Sequence, residues 1–104
     1  MRSEVYIGLV GVGPKQGCTL LGDAKGAYVN ALALASSSQE YETEVSRALA
    51  HSELYAFEFE EVEPFEQRAS HRVLDKELHD LAFEVVTSKR PRFATFHTFA
   101  EVDA

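Results

Sequence analysis

The side chains with the most to offer chemistry are four histidines, one cysteine, a glycine-rich stretch and a run of carboxylates. A chelating histidine pair on a helix is spaced i, i+4, so that both rings leave one face a turn apart. His71 and His79 are eight residues apart, or ~12 Å along a continuous helix, and His51 and His97 lie further off. No cysteine or aspartate completes a metal-ligand pattern, so neither a metal nor another cofactor is expected. A nucleophilic thiol needs a nearby base or positive field to form thiolate. Cys18 has only Lys15 near it in sequence, and nothing places a histidine beside it.

Gly11, Gly13 and Gly17 follow a strand-like run in the manner of a dinucleotide-binding loop, but the third glycine comes one residue late. Pro14 removes an N–H where backbone donors are wanted, and no helix pattern follows to aim its N-terminus at a phosphate. The stretch therefore reads as a turn-rich connection.

Five carboxylates crowd into nine residues: Glu58, Glu60, Glu61, Glu63 and Glu66. On a strand such a row discourages edge-to-edge aggregation, and it can also hold a basic partner. Glu58, Glu60, Glu61 and Glu63 are the candidate partner-binding residues. Asn30 interrupts an otherwise apolar strand and needs a hydrogen-bond partner there. Together with Cys18, Tyr28 and His97 it forms the candidate ligand-binding set. No catalytic constellation emerges.

Hydrophobic periodicity supplies the elements that must position these groups. Val5, Ile7 and Leu9 alternate with Tyr6, Gly8 and Val10, which predicts a strand over 4–10. A glycine-rich loop is expected over 11–26. The run 27–35 is apolar on both faces, the pattern of a central strand. Ser37 and Glu40 have capping-box spacing, and Tyr41, Val45, Ala48 and Leu49 then mark one buried stripe of a helix over 39–50. Over 54–62 a third strand is expected, with Tyr55, Phe57 and Phe59 facing in and Glu58 and Glu60 out. Val62 falls out of register, which predicts a bulge near Glu60 or Glu61. A helical turn over 65–73, a helix over 75–88 with Asp75 as its cap, and a last strand over 92–99 complete the chain.

The order β-β-α-β-α-β predicts one α+β domain, a two-layer sandwich with a four-stranded mixed sheet and two helices on one face, ferredoxin-like in architecture. Depending on register, the other face would carry Tyr6, Val10, Val29 and alanines, with either Phe96 or the pair Phe93 and Phe99. An apolar face of that kind usually meets a partner or a second copy, so a homodimer through it is expected.

Length and composition agree with a single globular domain: 104 residues, 45% hydrophobic and 26% charged. The formal charge of −7 argues against nucleic acid, which calls for clustered Lys and Arg. No run approaches the ~20 apolar residues of a membrane span, and the apolar start reads as a strand rather than a signal peptide. With a single cysteine, Cys18, no internal disulfide can form, and a cytoplasmic location is expected. Two functional readings follow. One is a non-catalytic interaction protein, such as a small acidic inhibitor or immunity-type protein docking a basic partner. The other is a small ligand-binding or enzymatic domain with its pocket between the sheet face and the glycine-rich loop.

Overall fold

In the computed structural model the described residues are 3–15 and 25–99. The framework is a pair of long central strands, β1 (Glu4–Pro14) and β2 (Gly26–Ala35). They run antiparallel in unbroken register from Glu4 opposite Ala35 to Val12 opposite Ala27. Helix α1 (Ser38–Ala50) leads from β2 to β3 (Leu54–Pro64), which lies outside β1. Two further helices follow, α2 (Phe65–His71) and α3 (Lys76–Ser88). The chain returns to the outer side of β2 as two short strands, β4 (Arg92–Phe93) and β5 (His97–Phe99).

The strand order is β3-β1-β2-β4, with β5 also beside β2. Every described pairing is antiparallel, which corrects the expected mixed sheet. β2 and β3 do run the same way, as a β-α-β crossover requires, but β1 separates them. The break between β4 and β5 is a one-residue excess: Phe93 faces Ala31 and His97 faces Tyr28, so four steps on the outer strand span three on β2.

The caps read from sequence form. Ser37 Oγ accepts from the Glu40 N–H at 3.1 Å, and the Glu40 carboxylate accepts from the Ser36 N–H at 2.9 Å. Asp75 Oδ1 accepts from the Leu78 N–H at 3.2 Å. Such caps satisfy N–H groups that have no partner within the helix.

The helices do not share a face of the sheet. Ala27, Val29, Ala31, Ala33 and Ala35 of β2, with Val10 and Val12 of β1, pack under Tyr41, Val45 and Leu49 of α1. The intervening Leu32, with Ile7 of β1, packs instead with Phe65, Leu78 and Val85 of α2 and α3. Successive strand residues point to opposite sides, so α1 covers one face and α2 and α3 the other. The arrangement is three-layered, which overturns the expected two layers with both helices on one side. β2 is apolar on both faces, and each large side chain that leaves water contributes roughly 1.5–3 kcal/mol. Covering only one face would forgo half of that. The face expected to lie open, with Tyr6, Val10, Val29, Phe93 and Phe96, is the one that α1 covers.

Small side chains set how closely α1 approaches. Tyr41 is fully buried, and its hydroxyl donates to the Ala31 carbonyl at 2.7 Å. Burial pushes its phenol well above the ordinary value. A Cβ on Gly8 would stand 2.9 Å from Val62 Cγ2 and 3.0 Å from the Tyr41 hydroxyl, so glycine is what lets this ring lie on the strand.

Candidate functional site

α2 and α3 reach only part of their face of the sheet. The start of β1 and the end of β2 are covered, while over the stretch from the Leu9–Asn30 pair toward β5 no helix of the described residues packs. Register fixes what this open half presents, because directly opposed antiparallel residues share a face. One row across the sheet runs Glu58, Gly11, Tyr28, His97, and the next runs Glu60, Leu9, Asn30.

Two irregularities in β3 shape the first row. The register against β1 shifts between Gly11 and Val12, so that Gly11 faces Glu58 while Val12 faces Ala56. Phe57 is the extra residue of that bulge and ends on the same side as Glu58. A second shift falls between Ile7 and Leu9, where Glu61 takes a left-handed φ of 53°. The bulge expected near Glu60 or Glu61 is therefore present. The orientation expected for β3 is partly reversed: Leu54 and Phe59 pack on the α1 side, whereas Tyr55 and Phe57 stand on the open half, 48% and 47% exposed.

Glycines make room for these rings. A Cβ on Gly11 would stand 2.7 Å from the Phe57 ring, and one on Gly13 would stand 2.8 Å from the Tyr55 ring. Both aromatic rings thus lie against bare β1 backbone. Tyr28 meets Phe57 edge-on at 6.0 Å, and its hydroxyl donates to Glu58 Oε1 at 3.1 Å.

The carboxylates divide into two pairs with different surroundings. Glu63 accepts from Arg68 Nε at 2.7 Å and lies 3.3 Å from His71 Nε2. The Arg68 hydrogen bond, with that from His71, holds the Glu63 carboxyl below its usual value. Arg68 is buried and also donates to the Glu61 carbonyl, while the Glu61 carboxylate takes Arg72 at 3.0 Å. Glu61 and Glu63 therefore fasten α2 to the β3 bulge. Glu58 and Glu60 have no ion pair among the described residues. The charge of Glu58 raises the Glu60 carboxyl above its ordinary value, and the hydrogen bond to Glu58 raises the Tyr28 phenol.

Of the residues singled out from sequence, Tyr28, Asn30, His97, Glu58 and Glu60 come together on this half-face, Glu61 and Glu63 turn to cations of their own chain, and Cys18 lies outside the described residues. Asn30 uses its backbone carbonyl to accept from the Ala94 N–H at 2.9 Å, and its half-buried side chain makes no hydrogen bond among the described residues. Sequence reasoning missed Tyr55 and Phe57. The signal was the pair Gly11 and Gly13, two apart on what proves to be strand rather than loop, which clears one face for neighbouring rings. The histidines are dispersed: His51 caps α1, His71 ends α2, His79 sits edge-on to Phe65 at 5.4 Å, and His97 pairs with Tyr28. Among the described residues no three His, Cys, Asp or Glu side chains converge as metal ligands, and no helix is long and apolar enough to cross a membrane.

Neither protein-family models, curated proteins nor solved structures give a match to this chain.

Proposed function

We propose that this is a non-catalytic binding protein that holds a basic partner on the open half-face. The observation that carries this reading is the pair Glu58 and Glu60, two neighbouring carboxylates without a cation among the described residues, set beside the half-exposed rings of Tyr55 and Phe57. Neighbouring like charges raise the cost of ionisation, and an incoming cation relieves it. A guanidinium or ammonium over an aromatic face adds ~0.5–2 kcal/mol, and a charge-assisted hydrogen bond ~1.5–3 kcal/mol. The surface suits Lys or Arg side chains of a protein partner. A small inhibitor or immunity-type protein that occludes a basic active site is the form that size and net charge favour. The net charge of −7 weighs against nucleic acid as the partner, and the single cysteine fits a cytoplasmic setting.

A titration followed by amide NMR, with a short Arg- and Lys-containing peptide as the probe, tests the reading. The expected result is a set of salt-sensitive shifts around Tyr28, Tyr55, Phe57, Glu58 and Glu60 that weakens at least tenfold in Glu58→Gln/Glu60→Gln. Shifts elsewhere, or undiminished binding by the double variant, would refute it.

The Asn30 side chain, which makes no hydrogen bond among the described residues, favours a second reading, in which the same half-face takes a small ligand through Tyr28, Asn30 and His97. That reading predicts that Asn30→Ala and His97→Ala each weaken a bound metabolite. If neither does, those residues play no part in binding.

A further inference from the structure

β3 is the outermost strand on its side of the sheet, and among the described residues no strand pairs with its outer edge. Such an edge is a template on which an extended segment can add as a further strand. Two hydrogen bonds fix which backbone groups it offers. The Lys15 N–H donates to the Glu53 carbonyl at 2.9 Å, just past the end of β1. The Asn30 carbonyl accepts from Ala94, so Asn30 turns its backbone away from Leu9, its opposite number on β1. Opposed antiparallel residues alternate between facing each other with these groups and turning them away. Along the unbroken run of β1, Leu9, Gly11 and Gly13 therefore turn toward β3, and Val10 and Val12 toward β2. Phe59 and Ala56, opposite Val10 and Val12, are left with their N–H and C=O groups directed outward. Further along, Arg68 takes the Glu61 carbonyl, which closes the edge at that end.

The side chains on either side of Phe59 select what can add. Glu58 and Glu60 lie opposite Gly11 and Leu9 on the open half-face, and neither has an ion pair among the described residues. A strand laid antiparallel on Phe59 sets one residue opposite Glu58 and another opposite Glu60. Those two residues are ~6.8 Å apart along their own strand and point to one face, with Cβ atoms ~4.5–5.5 Å from those of the glutamates. Two cations at i and i+2 then meet two carboxylates one for one. A second copy of β3 would instead set Glu60 against Glu58, so the charges that guard this edge against self-pairing admit a basic strand. We infer that the basic partner binds as an added antiparallel strand on β3, its backbone pairing with Phe59 and its Lys or Arg side chains, two residues apart, opposite Glu58 and Glu60. The inference rests on the proposed function and adds the form of the partner: an extended segment with cations at alternate positions.

Calorimetric titration with short capped peptides of alternating Arg and Thr tests it. In this pairing the threonines between the cations point their N–H groups at β3, and the arginines point theirs to solvent. A peptide N-methylated at its threonines is expected to bind roughly tenfold or more weakly than the unmethylated one, since backbone hydrogen bonds are lost. A peptide N-methylated at its arginines should stay within roughly twofold. Equal binding by the two methylated peptides overturns the inference and leaves the proposed function standing. If the unmethylated peptide does not bind, or binds Glu58→Gln/Glu60→Gln as tightly as the wild type, the proposed function falls and the inference falls with it.

Discussion

The two halves of the sheet face that looks toward α2 and α3 are built from the same strands and differ in what lies over them. On the covered half, Ile7 and Leu32 are large, aliphatic and fully excluded from water beneath Phe65, Leu78 and Val85. On the open half, the same strands offer Gly11, Tyr28 and Asn30, and β3 adds Tyr55, Phe57, Glu58 and Glu60. Aliphatic side chains on the covered half do one thing, which is to close a core. The open half pairs aromatic rings with carboxylates that repel each other, an arrangement that contributes little to folding and is suited to a cation from outside. On the proposed reading, stability and recognition occupy adjacent parts of one surface.

The comparison is broken most severely by truncation. Leu32→Ala on the covered half is expected to lower the unfolding free energy by about 2–5 kcal/mol, the range for a buried leucine. Phe57→Ala on the open half should cost no more than about 1 kcal/mol. Urea unfolding of both variants checks this, and equal losses would make the open half a core.

Arg68→Met should come next. It leaves Glu63 without its principal cation, and removal of one partner from a buried pair costs about 3 kcal/mol. Since the folded-state value of Glu63 is lowered, its stabilisation is present above the ordinary carboxylate range and is lost as pH falls through that lowered value. The deficit of the variant should accordingly shrink in acid. A deficit independent of pH would mean that Arg68 acts through packing alone.

Two glycines sharpen the comparison at smaller scale. Gly8→Ala would drive a methyl into Val62 and the buried Tyr41 hydroxyl and should cost about 1–3 kcal/mol, as overpacking does. Gly13→Ala meets only the half-exposed Tyr55 ring, which can swing aside, so its effect should be close to neutral. Thermal unfolding distinguishes them.

The smallest effect is electrostatic. Glu58→Gln should bring the phenol of Tyr28 down toward its ordinary value, because the hydrogen bond to an ionised Glu58 is the chief cause of its elevation. Ultraviolet titration reports this, and an unmoved phenol would assign the elevation to another neighbour.

Much of this structure is legible in the sequence, and the remainder hides for identifiable reasons. The caps at Ser37 and Asp75, the central position of β2 and the bulge at Glu61 follow from local chemistry and period. The α2 helix follows too, as a separate turn. The placement of the helices does not, because the apolar pattern of β2 shows that both faces are buried without showing what buries them. Tyr55 and Phe57 read as inward by simple alternation, and a single extra residue in β3 puts Phe57 beside Glu58. Glu58, Glu60, Glu61 and Glu63 read as one acidic row. Only the fold reveals that Arg68 and Arg72 return on α2 to neutralise two of them.

The central claim is that Glu58 and Glu60 are kept together for binding and against the preference of the folded chain. Its most direct test is the unfolding free energy of Glu58→Gln/Glu60→Gln at neutral pH, measured by urea titration beside the wild type. With its folded-state value raised by Glu58, Glu60 makes the wild-type fold more stable as pH falls through that value and less stable above it. Neutral glutamines remove this repulsion, so the double variant should be as stable as the wild type or more so. A clear loss of stability would contradict the account, because the two carboxylates would then be part of what holds the sheet together.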